Sequence, residues 1–176
     1  MEKQQLEKKV KILKNEYNAI APKAAERLQK LSFLRLTNLP STVRICLNEA
    51  TDTYGFGTFL GSVAVCRICI EAALIVEHGK KERDFKTLIN RCKKKGILSP
   101  PIAEKAHQLR EMGNNYIHML VDKIAKELVN AGKVRRFQRS EEDVILMEVG
   151  KESDALKANT LMRDIVEFLY GVRANQ

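Results

Sequence analysis

Apolar residues recur every three or four positions along the first 36 residues of the chain. Leu6, Val10, Leu13, Tyr17, Ile20, Ala24, Leu28, Leu31 and Leu34 form one stripe, which predicts helix. Pro22 lies inside this run and has no backbone donor, so a kink or a two-helix arrangement is expected there. The stripe suits either a coiled-coil dimer seam or a face packed on the rest of the chain, and the proline favours packing within the chain. Residues 37–57 hold Pro40, Ser41, Thr51, Asp52, Gly55 and Gly57 and read as a linker with room for a short helix at Ser41–Ala50.

Residues 57–77, GTFLGSVAVCRICIEAALIVE, are apolar nearly throughout and predict a buried helix ending at His78–Gly79, where glycine takes the left-handed C-terminal conformation. The stretch is long enough to span a bilayer. Arg67 and Glu71 interrupt its middle, and each charge at a bilayer centre costs roughly 3 kcal/mol on insertion scales, so a soluble core helix and no membrane is the expectation. Residues 84–96, DFKTLINRCKKKG, predict a further helix, capped by Asp84, basic in its last turn and stopped by Gly96. Ser99-Pro100-Pro101 opens the next, with Ile102, Ala106, Leu109, Met112, Tyr116, Ile117 and Leu120 at helical spacing out to about Asn130. A polar connection follows: 133–139 is basic, 141–154 is acidic, and Val144–Val149 suits a short strand or helix. A last helix over about 152–172 turns Leu156, Leu161, Ile165, Phe168 and Leu169 inward. Strand signals are nearly absent, so the fold class is all-α, a helical bundle over 58–176 preceded by an N-terminal helical extension and linker over 1–57.

Composition sharpens this picture in three ways. Thirty-one Lys and Arg against 22 Asp and Glu give a net charge of +9, which favours phosphate-bearing partners. Trp is absent and aromatics are 6%, so a stacking platform for single-stranded nucleic acid is not expected. Four cysteines (46, 66, 69 and 92) and three histidines lack the spacing of a zinc site, which points to buried free thiols, a reducing cytoplasm, no metal and no cofactor. The N-terminus is charged from the start and has no signal-peptide apolar segment.

Two polar sets break the apolar pattern of their own helices. Arg67 and Glu71, four apart, share one face; they form either an internal ion pair that fixes packing, or a cleft-facing arginine able to meet a phosphate. Arg110, Asn114 and His118 lie on one stripe across two turns, roughly 12 Å. A guanidinium, an amide and an imidazole so aligned are able to hold a phosphate and move a proton at neutral pH. Between them Gly113, a poor helix former, suggests close approach of another helix or of a ligand. Lys80–Arg83, Lys93, Lys94 and Lys95, and the basic run containing Arg135 and Arg136 are supporting phosphate-binding patches.

C-R-x-x-x-E on the apolar helix, then K-K-K-G-I-L, then L-R-E-M-G-N-N-Y-I-H resembles the bacterial family called domain of unknown function four-one-four-five, usually grouped with the HEPN superfamily of helical nucleic-acid-associated domains. The resemblance covers about residues 58–172. It implies a HEPN-like bundle associated with RNA or another nucleic acid, a homodimer, and a protein partner in a phage-defence operon. HEPN ribonucleases carry R-N-x-x-x-H in a composite, metal-independent cleft. Asn114 and His118 match its N-x-x-x-H part, while Gly113 stands where those enzymes have arginine and Arg110 lies one turn earlier. The expected role is therefore an RNA- or nucleotide-binding accessory module. The alternatives are an endoribonuclease in which His118 is the acid or base, Arg110 stabilises phosphate charge and Asn114 positions it, and a non-catalytic dimerising scaffold.

Overall fold

The helix that is apolar nearly all round lies at the centre of the bundle, with four others packed against it. The computed structural model describes residues 2–130 and 151–171. Among these, the chain forms α1 (Glu2–Gln29), α2 (Ser41–Gly55), the central α3 (Phe59–His78), α4 (Phe85–Lys94), α5 (Pro100–Asn130) and α6 (Glu152–Tyr170). The only β-type pairing among the described residues is an isolated bridge between Leu36 and Gly171, beside which the Thr37 amide donates to the Tyr170 carbonyl at 2.8 Å. The protein is an all-α bundle.

The helix boundaries follow local chemistry. Gly79 ends α3 with φ +72°, a conformation that costs a residue without Cβ little. The Asp84 carboxylate accepts the Thr87 amide at 2.8 Å and starts α4, and Gly96, at φ +74°, follows its end. α3 is long and apolar enough to cross a membrane, yet it packs on α2, α4, α5 and α6, and its Ile70, Ala73 and Leu74 are fully buried. One core runs through α2 to α6, from Val43, Leu47 and Tyr54 through Ile89 and Leu109 to Met162 and Ile165.

Three expectations are corrected. α1 passes through Pro22 as one helix rather than two and stops at Gln29, so the periodic Leu31 and Leu34 lie in non-helical chain that packs on the core from outside. The presumed linker holds a 15-residue helix whose Val43, Leu47, Ala50 and Tyr54 are core residues. In α6, Phe168 is exposed, and the buried arc instead takes in Asn159 and Arg163. The expected strand or helix at 144–149 lies outside the described residues, as do Arg135 and Arg136.

Arg163 is the most unusual of the buried groups. Only 9% exposed, its guanidinium donates to the Ser32 carbonyl at 2.8 Å and the Thr51 hydroxyl at 2.9 Å, neutral acceptors both. Beside it Asn159 donates to Ser62 Oγ (2.8 Å), which donates to the Ala50 carbonyl (3.1 Å). These bonds tie α6 to α3, to α2 and to the connector after α1. The end of α1 is held by Arg27, which bonds the Gly55 carbonyl and Glu152 and lies 5.0 Å over the Phe59 ring.

Candidate polar site at the crossing of α3 and α5

Gly113 marks a close approach of α3 and α5. A Cβ placed on it would lie 2.4 Å from Arg67 Cδ and 2.9 Å from Arg67 Cβ, so the aliphatic stem of Arg67 occupies the place of a side chain at 113. The close approach expected at this glycine is thus made by an arginine. Beyond the stem, the Arg67 guanidinium lies 5.5 Å over the ring of Phe85, the first residue of α4, and 3.7 Å from Glu71 Oε2. The Arg67–Glu71 pair therefore forms, with both side chains partly open to solvent.

α5 is oriented by contacts on its other sides. Tyr116 donates to Asp154 in the first turn of α6 at 2.6 Å, and burial together with that carboxylate pushes the phenol up to about 12. Nearer the start of α5, the His107 ring N–H donates to Asn90 Oδ1 on α4 at 3.0 Å. His107 is seven residues before Asn114 and so shares its flank. Because α4 begins at Phe85, beside the Arg67–Gly113 crossing, the stripe of Arg110, Asn114 and His118 continues the α4-facing flank of α5 past the start of α4.

Along this stripe exposure rises. The Arg110 side chain is 17% exposed and bonds Glu111 at 2.8 Å; Asn114 is half-buried; His118 is exposed. Arg67 Nε and Arg110 Nε are both buried with no acceptor among the described residues. The stripe thus begins at a largely buried arginine, one turn from the residue that the Arg67 stem covers, and ends at an accessible imidazole. Burial, then the nearby Arg110 charge, lowers the pKa of His107, which keeps that ring neutral and the positive charge concentrated on the arginines.

The structure brings Arg67 against Gly113, next to Asn114 and one turn from Arg110, and leaves other expected site residues apart. Lys93, Lys94 and Lys95 are exposed at the far end of α4. Asn90 already meets α5 at His107, eleven residues or roughly 16 Å before His118, and the lysines lie farther on. Cys66 and Cys69 are buried free thiols on α3. Sequence reasoning missed Arg163, whose burial has no signal in the spacing of α6, and Phe85 as the ring under Arg67.

No curated protein and no solved structure matches this chain. Residues 48–133, from the middle of α2 to just past α5, match the family described as Domain of unknown function (DUF4145), and the C-R-x-x-x-E and G-N-x-x-x-H elements lie inside that match.

Proposed function

We propose that the protein is a HEPN-like, nucleic-acid-associated helical domain that binds RNA or a nucleotide through the flank of α5 beginning at Arg67 and Arg110 and ending at His118. The observation that carries this reading is the Arg67 stem lying across Gly113. HEPN ribonucleases place an arginine immediately before the asparagine of N-x-x-x-H. Here that position is a glycine, and an arginine of α3 passes over it instead. An arginine stem from another helix thereby lies against the residue that precedes Asn114, with its guanidinium beyond it over Phe85. Two buried Nε–H groups without acceptors support an anion as the missing partner, since a buried donor left unsatisfied costs about 1–3 kcal/mol.

Lys93, Lys94 and Lys95, and Arg135 and Arg136 in the basic connection, extend the positive surface for a longer phosphate chain without being part of the same crossing. The protein acts in the cytoplasm as the accessory module of a bacterial defence-type system, beside a protein partner from the same operon.

The exposure of His118 favours endoribonuclease activity as a second reading. His118 would take the proton of the ribose 2′-hydroxyl as that oxygen attacks the adjacent phosphorus, or return a proton to the departing 5′-oxygen. Arg67 and Arg110 would stabilise the charge gathering on the phosphate, and Asn114 would orient it.

One experiment tests both. RNA binding by the wild type, Arg67→Gln and Arg110→Gln is measured across a salt series, and cleavage is followed in EDTA for the wild type and His118→Ala. Binding that weakens steeply with salt, and weakens at all salts in both arginine variants, supports the site. Affinity indifferent to salt and to both substitutions overturns it. Cleavage lost only with His118→Ala promotes the protein to a ribonuclease; cleavage by both or by neither removes His118 as a catalyst.

A further inference from the structure

In sequence, the first part of α1 carries an apolar seam, and the two of its residues ahead of Ala24 whose side chains are described, Val10 and Ile20, are exposed. Among the side chains described on α1, Ala24 alone is buried, and it marks where the helix lands on α2. Ahead of it Val10 is 43% exposed and Ile20 is 40% exposed. Spacing in the sequence places both on one seam: Leu6, Val10, Leu13, Tyr17, Ile20 and Ala24 follow one another at steps of 4, 3, 4, 3 and 4. This is a heptad repeat, with Val10, Tyr17 and Ala24 at a and Leu6, Leu13 and Ile20 at d. Pro22 falls at f, the position farthest from the seam, so its ring and the carbonyl bond it deletes do not disturb the stripe.

The charges flanking the seam identify what covers it. Positions e are Glu7, Lys14 and the uncharged Ala21; positions g are Glu2, Lys9, Glu16 and Lys23. In a parallel, in-register pair, g meets the following e of the other helix, setting Glu2 against Glu7 and Lys9 against Lys14, like against like. In an antiparallel pair, g meets g and e meets e. With Val10 opposite Leu13 of the second copy, Leu6 meets Tyr17 and Lys3 meets Ile20. Every flanking charge then finds its opposite: Glu2 with Lys23, Lys9 with Glu16, Glu7 with Lys14, each occurring twice by symmetry. Sliding the pair by one heptad towards the start sets Glu7 on Glu7 and Lys9 on Lys9. Sliding it the other way sets Lys14 on Lys14 and Glu16 on Glu16. One alignment out of these is complementary throughout, and it ends where α1 docks on its own bundle.

We infer that two copies of this chain associate through the N-terminal parts of α1 as an antiparallel coiled coil with Val10 of each copy opposite Leu13 of the other. The surface is separate from the α3–α5 crossing, and the inference stands whether or not the protein binds RNA.

Charge reversal distinguishes the alternatives, because the same substitution acts oppositely in the two orientations. Lys14→Glu turns two Glu7–Lys14 pairs into Glu–Glu pairs in the antiparallel dimer, but turns Lys9–Lys14 into Lys–Glu in a parallel one. Light scattering and sedimentation equilibrium over a concentration series give the mass, and circular dichroism confirms that each variant keeps its helix content. The expected result is a wild-type mass of twice 20.0 kDa, a dimer weakened about tenfold by Lys14→Glu, and recovery when Glu7→Lys is added. A monomeric wild type overturns the inference. So does a dimer strengthened by Lys14→Glu, which would be parallel, and so does a dimer indifferent to both substitutions, which would be held by the bundle or by another surface.

Discussion

The aliphatic stem of Arg67 fills the space that a side chain at Gly113 would need, so the α3 arginine and the α5 glycine are a matched pair. The match has a direct energetic consequence. Alanine is worth about 1 kcal/mol more than glycine inside a helix, so Gly113→Ala should stabilise α5 wherever space allows. Here the new methyl meets Arg67 Cβ and Cδ, close to the backbone where the arginine cannot swing away. Gly113→Ala is expected to lose about 1–3 kcal/mol in urea unfolding, the usual cost of overpacking. Arg67→Ala should remove that loss, so a double-mutant cycle yields a coupling of similar size and opposite sign. Additive effects would show that the two residues do not touch.

Arg163 lies almost wholly inside the protein with neutral partners only. Arg163→Ala leaves a cavity and strands the Ser32 carbonyl and the Thr51 hydroxyl, at an expected cost of about 2–4 kcal/mol. Arg163→Met keeps most of the volume and removes a buried charge, so its loss should be clearly smaller, as measured by denaturant midpoint. Equal losses would mean that the hydrogen bonds, rather than the volume, dominate.

Stability should fall on mild acidification because of His107. Its pKa lies below the usual 6.5, first through burial and then through the charge of Arg110. A histidine lowered in the folded state is neutral there while the unfolded chain still takes up a proton. Stability is therefore unaffected above 6.5 and declines as pH falls through that value towards the lower folded one. Thermal melting from pH 7.5 to 5.5 should show the decline, and His107→Gln should flatten it.

The thiols should divide into one accessible group and three inert ones. Burial raises Cys66 strongly, Cys69 to about 12 and Cys92 to about 11, whereas Cys46 is partly exposed. Thiolate is the reactive form, so a disulfide reagent such as DTNB should modify a single thiol quickly under native conditions and all four after denaturation. Loss of the fast phase in Cys46→Ser identifies it; fast reaction at several thiols would mean that α3 opens readily.

The parts of this fold that are legible in the sequence are those decided locally. Asp84, Gly79 and Gly96 start or stop helices by bonds to their own neighbours, so the ends of α3 and α4 can be read directly. The end of α1 cannot, because Leu31 and Leu34 keep helical spacing while being drawn onto the core in irregular chain. α2 looks like a linker because Thr51, Asp52 and Thr53 crowd its last turns, although Thr51 and Thr53 turn their hydroxyls back onto helix carbonyls. Phe168 faces solvent because Asn159 and Arg163, polar and therefore expected outside, hold the inner arc of α6. In the site, spacing places Arg110, Asn114 and His118 in line. That Arg67 crosses at Gly113, and that the lysines of α4 point to the far end, depends on how helices distant in sequence are set against one another.

The bridge between Leu36 and Gly171 has a practical corollary for the arrangement of neighbouring polypeptide. The strand-like piece leading into α2 and the residue leaving the last helix lie side by side, although the chain enters this region only after the long α1. Fluorophores attached at these two points would sit close enough for energy transfer, and unravelling of the last turn of α6 would pull them apart.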